Sequence, residues 1–182
     1  CPKGTWSSAV GVTEKSACIN CDTGKYGADN VGINAESFCT QCAAGTFLDK
    51  VGTYGSASCK VCPLGFVQIS MGEAFCLPCT PGRFMNRESA SECIKCEKGR
   101  FASDVARKIN CNDCSIGRSQ LEKGSSSCVY CAPGTYAASR GTVKCNDCNG
   151  NEYQPNSNAS KCIRVQEGYY RSGPTTQVEC PA

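Results

Sequence analysis

Aromatic side chains return along this chain at nearly even intervals, as Trp6, Tyr26, Phe47, Phe84, Phe101, Tyr136, Tyr153 and Tyr170. Most stand two residues beyond a glycine, at Gly4, Gly24, Gly45, Gly82, Gly99, Gly134 or Gly168, while Asn151 takes that place before Tyr153. Gly65 and Gly117 hold it ahead of Val67 and Ser119, where Phe66 compensates for the first by a one-residue shift. A second turn signal follows at Gly55, Gly72, Gly124, Gly141 or Asn158, four residues before a cysteine. Gly and Asn accept positive φ most readily, so both places read as backbone bends. The pattern predicts a bend, a short extended run with one aromatic, a turn and a return. That is a small hairpin, with no long helix.

The cysteines mark the same intervals. Pairs of the form Cys-x-x-Cys fall at 18/21, 39/42, 59/62, 76/79, 93/96, 111/114, 128/131 and 145/148, and Cys162 continues the phase. Internal repeats outrank every other reading of a sequence, because they fix the architecture. The whole chain, 1–182, therefore reads as one continuous array of about ten repeats. They open near Cys1, Cys21, Cys42, Cys62, Cys79, Cys96, Cys114, Cys131, Cys148 and Val165. The expected fold is a small disulfide-rich, elongated, solenoid-like array with little regular secondary structure, in which each repeat contacts only its neighbours and needs no thick core. The aromatic of each repeat is expected to fill space against a disulfide or the next backbone.

Composition agrees. Nineteen cysteines in 182 residues is the level of a secreted disulfide scaffold. Net charge is +3 with both signs scattered, which points to neither nucleic acid nor an anionic membrane. No apolar run approaches the roughly 18–20 residues that span a bilayer, and no signal-peptide core is present. The chain reads as mature material or as a window cut from something longer.

Two Cys-x-x-Cys pairs in tandem also spell a zinc ribbon. The chain has no histidine. Zinc sites would group the pairs two by two with alternating spacers, whereas these are evenly phased, and the Gly and aromatic follow every pair. Disulfides are the better reading. Redox chemistry of the thioredoxin kind uses one pair on a βαβ scaffold, not eight in hairpins. Cysteine patterns alone do not dictate connectivity. The simplest rule joins the second cysteine of each pair to the first of the next: Cys1–Cys18, Cys21–Cys39, Cys42–Cys59, Cys62–Cys76, Cys79–Cys93, Cys96–Cys111, Cys114–Cys128, Cys131–Cys145 and Cys148–Cys162. Val165 then stands where a second cysteine belongs and Gln177 where its partner belongs, so both ends of one bridge are missing together. Cys180 is unpaired within this window, either as the opening of another repeat or as a lone closing cysteine. Each loop of about 15 residues is worth about 3 kcal/mol in the chain-entropy model, which replaces the missing core.

The pattern C-x2-C-x2-G-x-[YF]-x(n)-C-x2-C, as in Cys128 to Cys148, resembles the ephrin-receptor-like cysteine-rich repeat, related to the smallest tumour-necrosis-factor-receptor-type modules. The resemblance covers nearly the whole chain. It implies extracellular rods of short hairpins with the pairing above, in receptor ectodomains, adhesion proteins or surface and matrix proteins. Departures are the cysteines missing near Val165 and the longer inserts at Gly27–Phe38 and Leu48–Ser58. No binding residues carry over.

No catalytic, metal or cofactor site is expected. Without histidine no Ser/His/Asp or Cys/His constellation can form. Asp22, Asp49 and Asp104 read as dispersed, solvated acids. Cys-Asn-Asp-Cys, at 111–114 and 145–148, reads as exposed polar residues within a turn rather than as calcium ligands. Asn158-Ala159-Ser160 is an N-glycosylation acceptor at a hairpin tip. The tips at Ser125–Ser127 and Thr175–Thr176 offer O-glycan acceptors. The resulting expectation is a non-enzymatic, extracellular or cell-surface glycoprotein without cofactor, serving as a structural or spacer rod. It would be a segment or subunit of a fibre, partnered by protein, including itself, with no nucleic acid and no membrane insertion. The alternatives are a receptor or adhesion ectodomain using the off-pattern aromatics Tyr130, Phe75 and Phe66, and an intracellular zinc-binding array.

Overall fold

The computed structural model describes residues 1–28 and 36–181. Residues 29–35, inside the Gly27–Phe38 insert, lie outside the described residues. What is described is a small disulfide-rich array of antiparallel hairpins: ten two-stranded sheets, each joining neighbouring strands in the sequence. Helical geometry among these residues is confined to three short 3-10 turns, Lys15–Ala17, Glu36–Phe38 and Ser56–Ser58. They belong to the first three repeats, which carry the longest loops.

The local chemistry of one hairpin recurs in the others. Thr5 N–H donates to Pro2 O at 3.2 Å across a turn whose third residue, Gly4, sits at φ +79°. That is the type II turn, which demands glycine at this position. Thr135, Ala132 and Gly134 repeat it at 3.0 Å and φ +83°. Two extended residues follow, then the tip, then two residues returning in register: Trp6 faces Ile19, Phe84 faces Ile94, Tyr136 faces Asn146 and Tyr153 faces Ile163. In the repeat opened by Cys62, Val67 faces Leu77 and Phe66 faces Pro78. Val67 thus keeps the aromatic's own column, 5% exposed, and no compensating shift occurs.

Two bends differ from the sequence reading. Gly150, at φ +62°, takes the left-handed turn in place of Asn151, because a residue without Cβ enters that region at no steric cost. In the third repeat Gly52 makes the tip, while Gly55 opens the turn Ser56–Ser58.

The described residues group into two compact units. The first comprises Cys1–Cys79, Met85–Cys93 and Ala106–Ile109. Its hairpins are joined by backbone hydrogen bonds. Cys62 N–H donates to Gly45 O at 2.9 Å and Gly45 N–H to Gln68 O at 2.8 Å; Ser89 N–H donates to Cys62 O at 3.0 Å and Gln68 N–H to Ala90 O at 3.1 Å. Its largest cluster of buried side chains is Val67, Cys79, Met85 and Ala90, with Cys93 against it.

The second unit comprises Thr80–Phe84, Ile94–Val105 and Asn110–Ala182. It repeats the same joints: Cys131 N–H to Gly117 O, Gly117 N–H to Ala137 O and Asn158 N–H to Cys131 O, each at 2.9 Å, and Ala137 N–H to Ala159 O at 3.0 Å. Cys96, Ala102 and Cys111 pack here with Phe84.

Contact does not stop at the adjacent hairpin. The tip carbonyl of Ser89 lies against Gly45, two repeats earlier, within the first unit. Gly141 lies in the same way against Gly99 in the second. The neighbour-only expectation is corrected: hairpins this thin let a tip reach past one repeat and rest on the bare Cα of the next.

Candidate functional site

The residues on which the sequence reading centres converge on the joints between hairpins. The structure closes nine bridges: Cys1–Cys18, Cys21–Cys39, Cys42–Cys59, Cys62–Cys76, Cys79–Cys93, Cys96–Cys111, Cys114–Cys128, Cys131–Cys145 and Cys148–Cys162. Their Cα–Cα distances run from 5.5 to 5.8 Å, the usual span of a disulfide. The opening cysteines of the inner bridges are among the most deeply buried side chains of the fold; Cys42, Cys62, Cys79, Cys96 and Cys114 are 0% exposed. Sulfur is the interior of this fold.

Packed with Cys79 and with Cys96 lies a residue whose place sequence reasoning missed, and it recurs along the chain. It is the one after the aromatic: Leu48 is 1% exposed, and Met85, Ala102 and Ala137 are 0%. The aromatics themselves are only half-buried, and Tyr170 is exposed. Three repeats put glutamine in this place. Gln68 Nε2 donates to Phe75 O at 2.6 Å while its Oε1 accepts from Ser70 N–H at 3.1 Å. Gln120 and Gln154 repeat the pair on Ser127 and Glu122, and on Lys161 and Asn156. A buried amide is tolerated only with both ends bonded, and here both are. Mixed identity (Leu, Met, Ala, Gln) hid this column from pattern reading.

The repeat opened by Val165 lacks its bridge but keeps the frame. Val165 N–H donates to Asn151 O at 2.8 Å, the bond made elsewhere by an opening cysteine. Tyr170 faces Val178 and Arg171 faces Gln177, so Gln177 stands where a closing cysteine would. Gln177 Oε1 accepts from Gln166 N–H at 3.1 Å. Arg171 occupies the buried column and reaches further, donating to Cys148 O at 2.8 Å and Gly150 O at 3.3 Å. In other repeats a tip N–H is the donor to this carbonyl, as Asn158 is to Cys131 O. Cys180 is a free, exposed thiol whose N–H donates to Gly168 O at 2.8 Å, again the bond of an opening cysteine.

The remaining candidates lie apart. Tyr130 and Phe75 are 53% and 58% exposed, whereas Phe66 is half-buried. Arg118 stacks on Tyr130 with its guanidinium 4.1 Å from the ring centre and donates to the phenol oxygen at 2.7 Å. Asp22, Asp49 and Asp104 are all exposed. Lys60 bonds Asp49 at 2.7 Å, and that hydrogen bond holds the Asp49 carboxyl below the ordinary carboxylate pKa. The two Cys-Asn-Asp-Cys motifs lie on return strands, with Asp113 paired to Arg100 at 2.8 Å and Asp147 facing Thr135. Among the described residues no group of three or more His, Cys, Asp or Glu is placed to hold a metal ion, and no helix is long and apolar enough to cross a membrane. Asn158 is exposed at its tip with φ +62°.

Comparison with known proteins adds no identity. The chain matches no family model and no curated protein. The hairpin joints themselves carry the functional reading.

Proposed function

We propose that this chain is a non-enzymatic structural or spacer segment of the extracellular space or cell surface, contributed to a larger fibre. One observation carries the proposal: the recurring residues of the sequence are spent on the backbone frame. Glycines seat tips, cysteines close loops, and the buried column fills the joint. Disulfides at this density form and persist in oxidising compartments, which supports the extracellular placement. Bridged sulfurs are not thiolates and cannot ligate zinc, which speaks against the intracellular array. The likeness to ephrin-receptor-like repeats points the same way.

Non-reducing peptide mapping of the native material, combined with negative-stain imaging, tests the reading. Nine bridges within repeats, and particles joined end to end or side by side, are expected. Free thiols, or isolated particles at every concentration, would remove it. A receptor or adhesion ectodomain is the second reading, favoured by exposed Tyr130 and Phe75. It requires saturable capture of a soluble protein that Tyr130→Ala or Phe75→Ala abolishes.

A further inference from the structure

The tip at Asn158 is built unlike its sister tips, and the difference has a chemistry. Within the second compact unit, the corresponding Gly124 and Gly141 have bare Cα atoms. A Cβ added at Gly124 would lie 3.5 Å from the Lys95 side chain, and one at Gly141 would lie 3.5 Å from Asp113 Oδ1. Lys95 and Asp113 immediately precede Cys96 and Cys114, which accept the tip N–H bonds of Gly124 and Gly141. Asn158 donates its N–H to Cys131 O, so the same register directs its side chain toward Tyr130.

Three further features prepare this amide. Its Oδ1 is turned toward Gly117, 2.6 Å from where a Cβ would be, so the Nδ2 end is the one directed away from that backbone. Among the described residues no side-chain hydrogen bond occupies the amide, and both Asn158 and Ser160 are exposed. Tyr130, pinned by Arg118, offers a fixed ring that is 53% exposed. A π-face is electron-rich, and the C–H bonds on one face of a pyranose ring are its natural complement.

We propose that Asn158 carries an N-linked oligosaccharide whose first sugar rests on the Tyr130–Arg118 shelf. The step needs a lipid-diphosphate-linked oligosaccharide and the transferase of a secretory compartment, so the inference rests on the extracellular reading. The Nδ2 lone pair attacks the sugar C1; the N–C1 bond forms as the C1–O bond to the diphosphate breaks. The lipid diphosphate leaves with that electron pair, and one amide proton passes to a base of the transferase. In the folded product the sugar covers Tyr130 and fixes the tip against the hairpin two repeats earlier.

The test is secretion of the chain from eukaryotic cells, followed by intact-mass measurement before and after peptide N-glycosidase. Loss of an oligosaccharide mass with Asn158 left as aspartate is expected. Asn158→Gly, which supplies the residue of the sister tips, should abolish the shift and still fold, as should Ser160→Ala. In the glycosylated protein the first sugar's protons should move upfield from ring current and show contacts to Tyr130, and Tyr130→Ala should erase both. Correctly bridged, secreted protein with no mass shift overturns the inference while leaving the extracellular reading intact. Free thiols in the same spectra would overturn that reading first. A glycan without any contact to Tyr130 overturns the shelf.

Discussion

Gln177 turns its side chain onto Gln166, accepting from the backbone N–H at 3.1 Å, in the position where sister repeats have a disulfide. The last hairpin is therefore closed by a hydrogen bond of about 1 kcal/mol instead of a bridge of about 3 kcal/mol. Val165 and Gln177 keep the backbone register of the missing cysteines. Val165→Cys with Gln177→Cys should oxidise spontaneously and raise the local stability of residues 165–179 by about 2 kcal/mol. Intact mass reads the two lost hydrogens, and amide exchange in that segment reads the gain. A double variant that keeps both thiols in air would contradict the register.

Glycines at equivalent places should not be equally sensitive. Gly99, at φ +76°, has the Gly141 carbonyl where its Cβ would go, whereas Gly150, at φ +62°, has nothing within 4 Å. Gly150→Ala should cost about 1–2 kcal/mol, the left-handed penalty alone. Gly99→Ala adds a backbone clash and should cost about 3 kcal/mol or more. Paired denaturant titrations check the difference, and equal losses would mean that the tip does not rest on Gly99.

The buried column should outweigh its partly exposed neighbour. Leu48→Ala should cost about 3 kcal/mol, since Leu48 is 1% exposed and its removal leaves a cavity. Phe47→Leu, at a half-buried site that Lys60 overhangs 5.6 Å from the ring centre, should cost under about 1.5 kcal/mol. Thermal melts of the two variants settle the order.

Much of this frame was legible in the sequence, and the reason is steric. Gly4 and Gly134 show themselves because only glycine suits a type II turn there, and a cysteine phase cannot hide. The column holding Leu48, Met85, Ala102 and Gln120 stayed hidden because several volumes and a bonded amide fill the same gap. Ser89 and Ala106 were equally silent, since both adopt φ +55° without the residue type that announces it. Their strain is imposed by the tip bonds to Cys62 and Cys79 at 3.0 and 2.8 Å, contacts that no local pattern encodes.

Asp49 supplies a pH reading. Its carboxyl pKa is lowered chiefly by the Lys60 hydrogen bond. A group depressed in the folded state contributes stability above its unfolded pKa and loses it as pH falls through the folded value. Proton-resolved titration should place Asp49 below an ordinary aspartate, and Lys60→Met should return it to the usual range. The effect on overall stability is small because the pair is exposed and screened.

Tips resting on bare glycines free one position of each repeat from its neighbours. The contact is backbone on both sides, so Ser89, Ala106, Gly141 and Asn158 all serve as the tip. The buried joints are more demanding, since Val67 of one repeat packs with Met85 and Ala90 of the next. A repeat duplicated or exchanged by its gene therefore carries its tip along unaltered, while the side chains of the seam decide which partner it accepts.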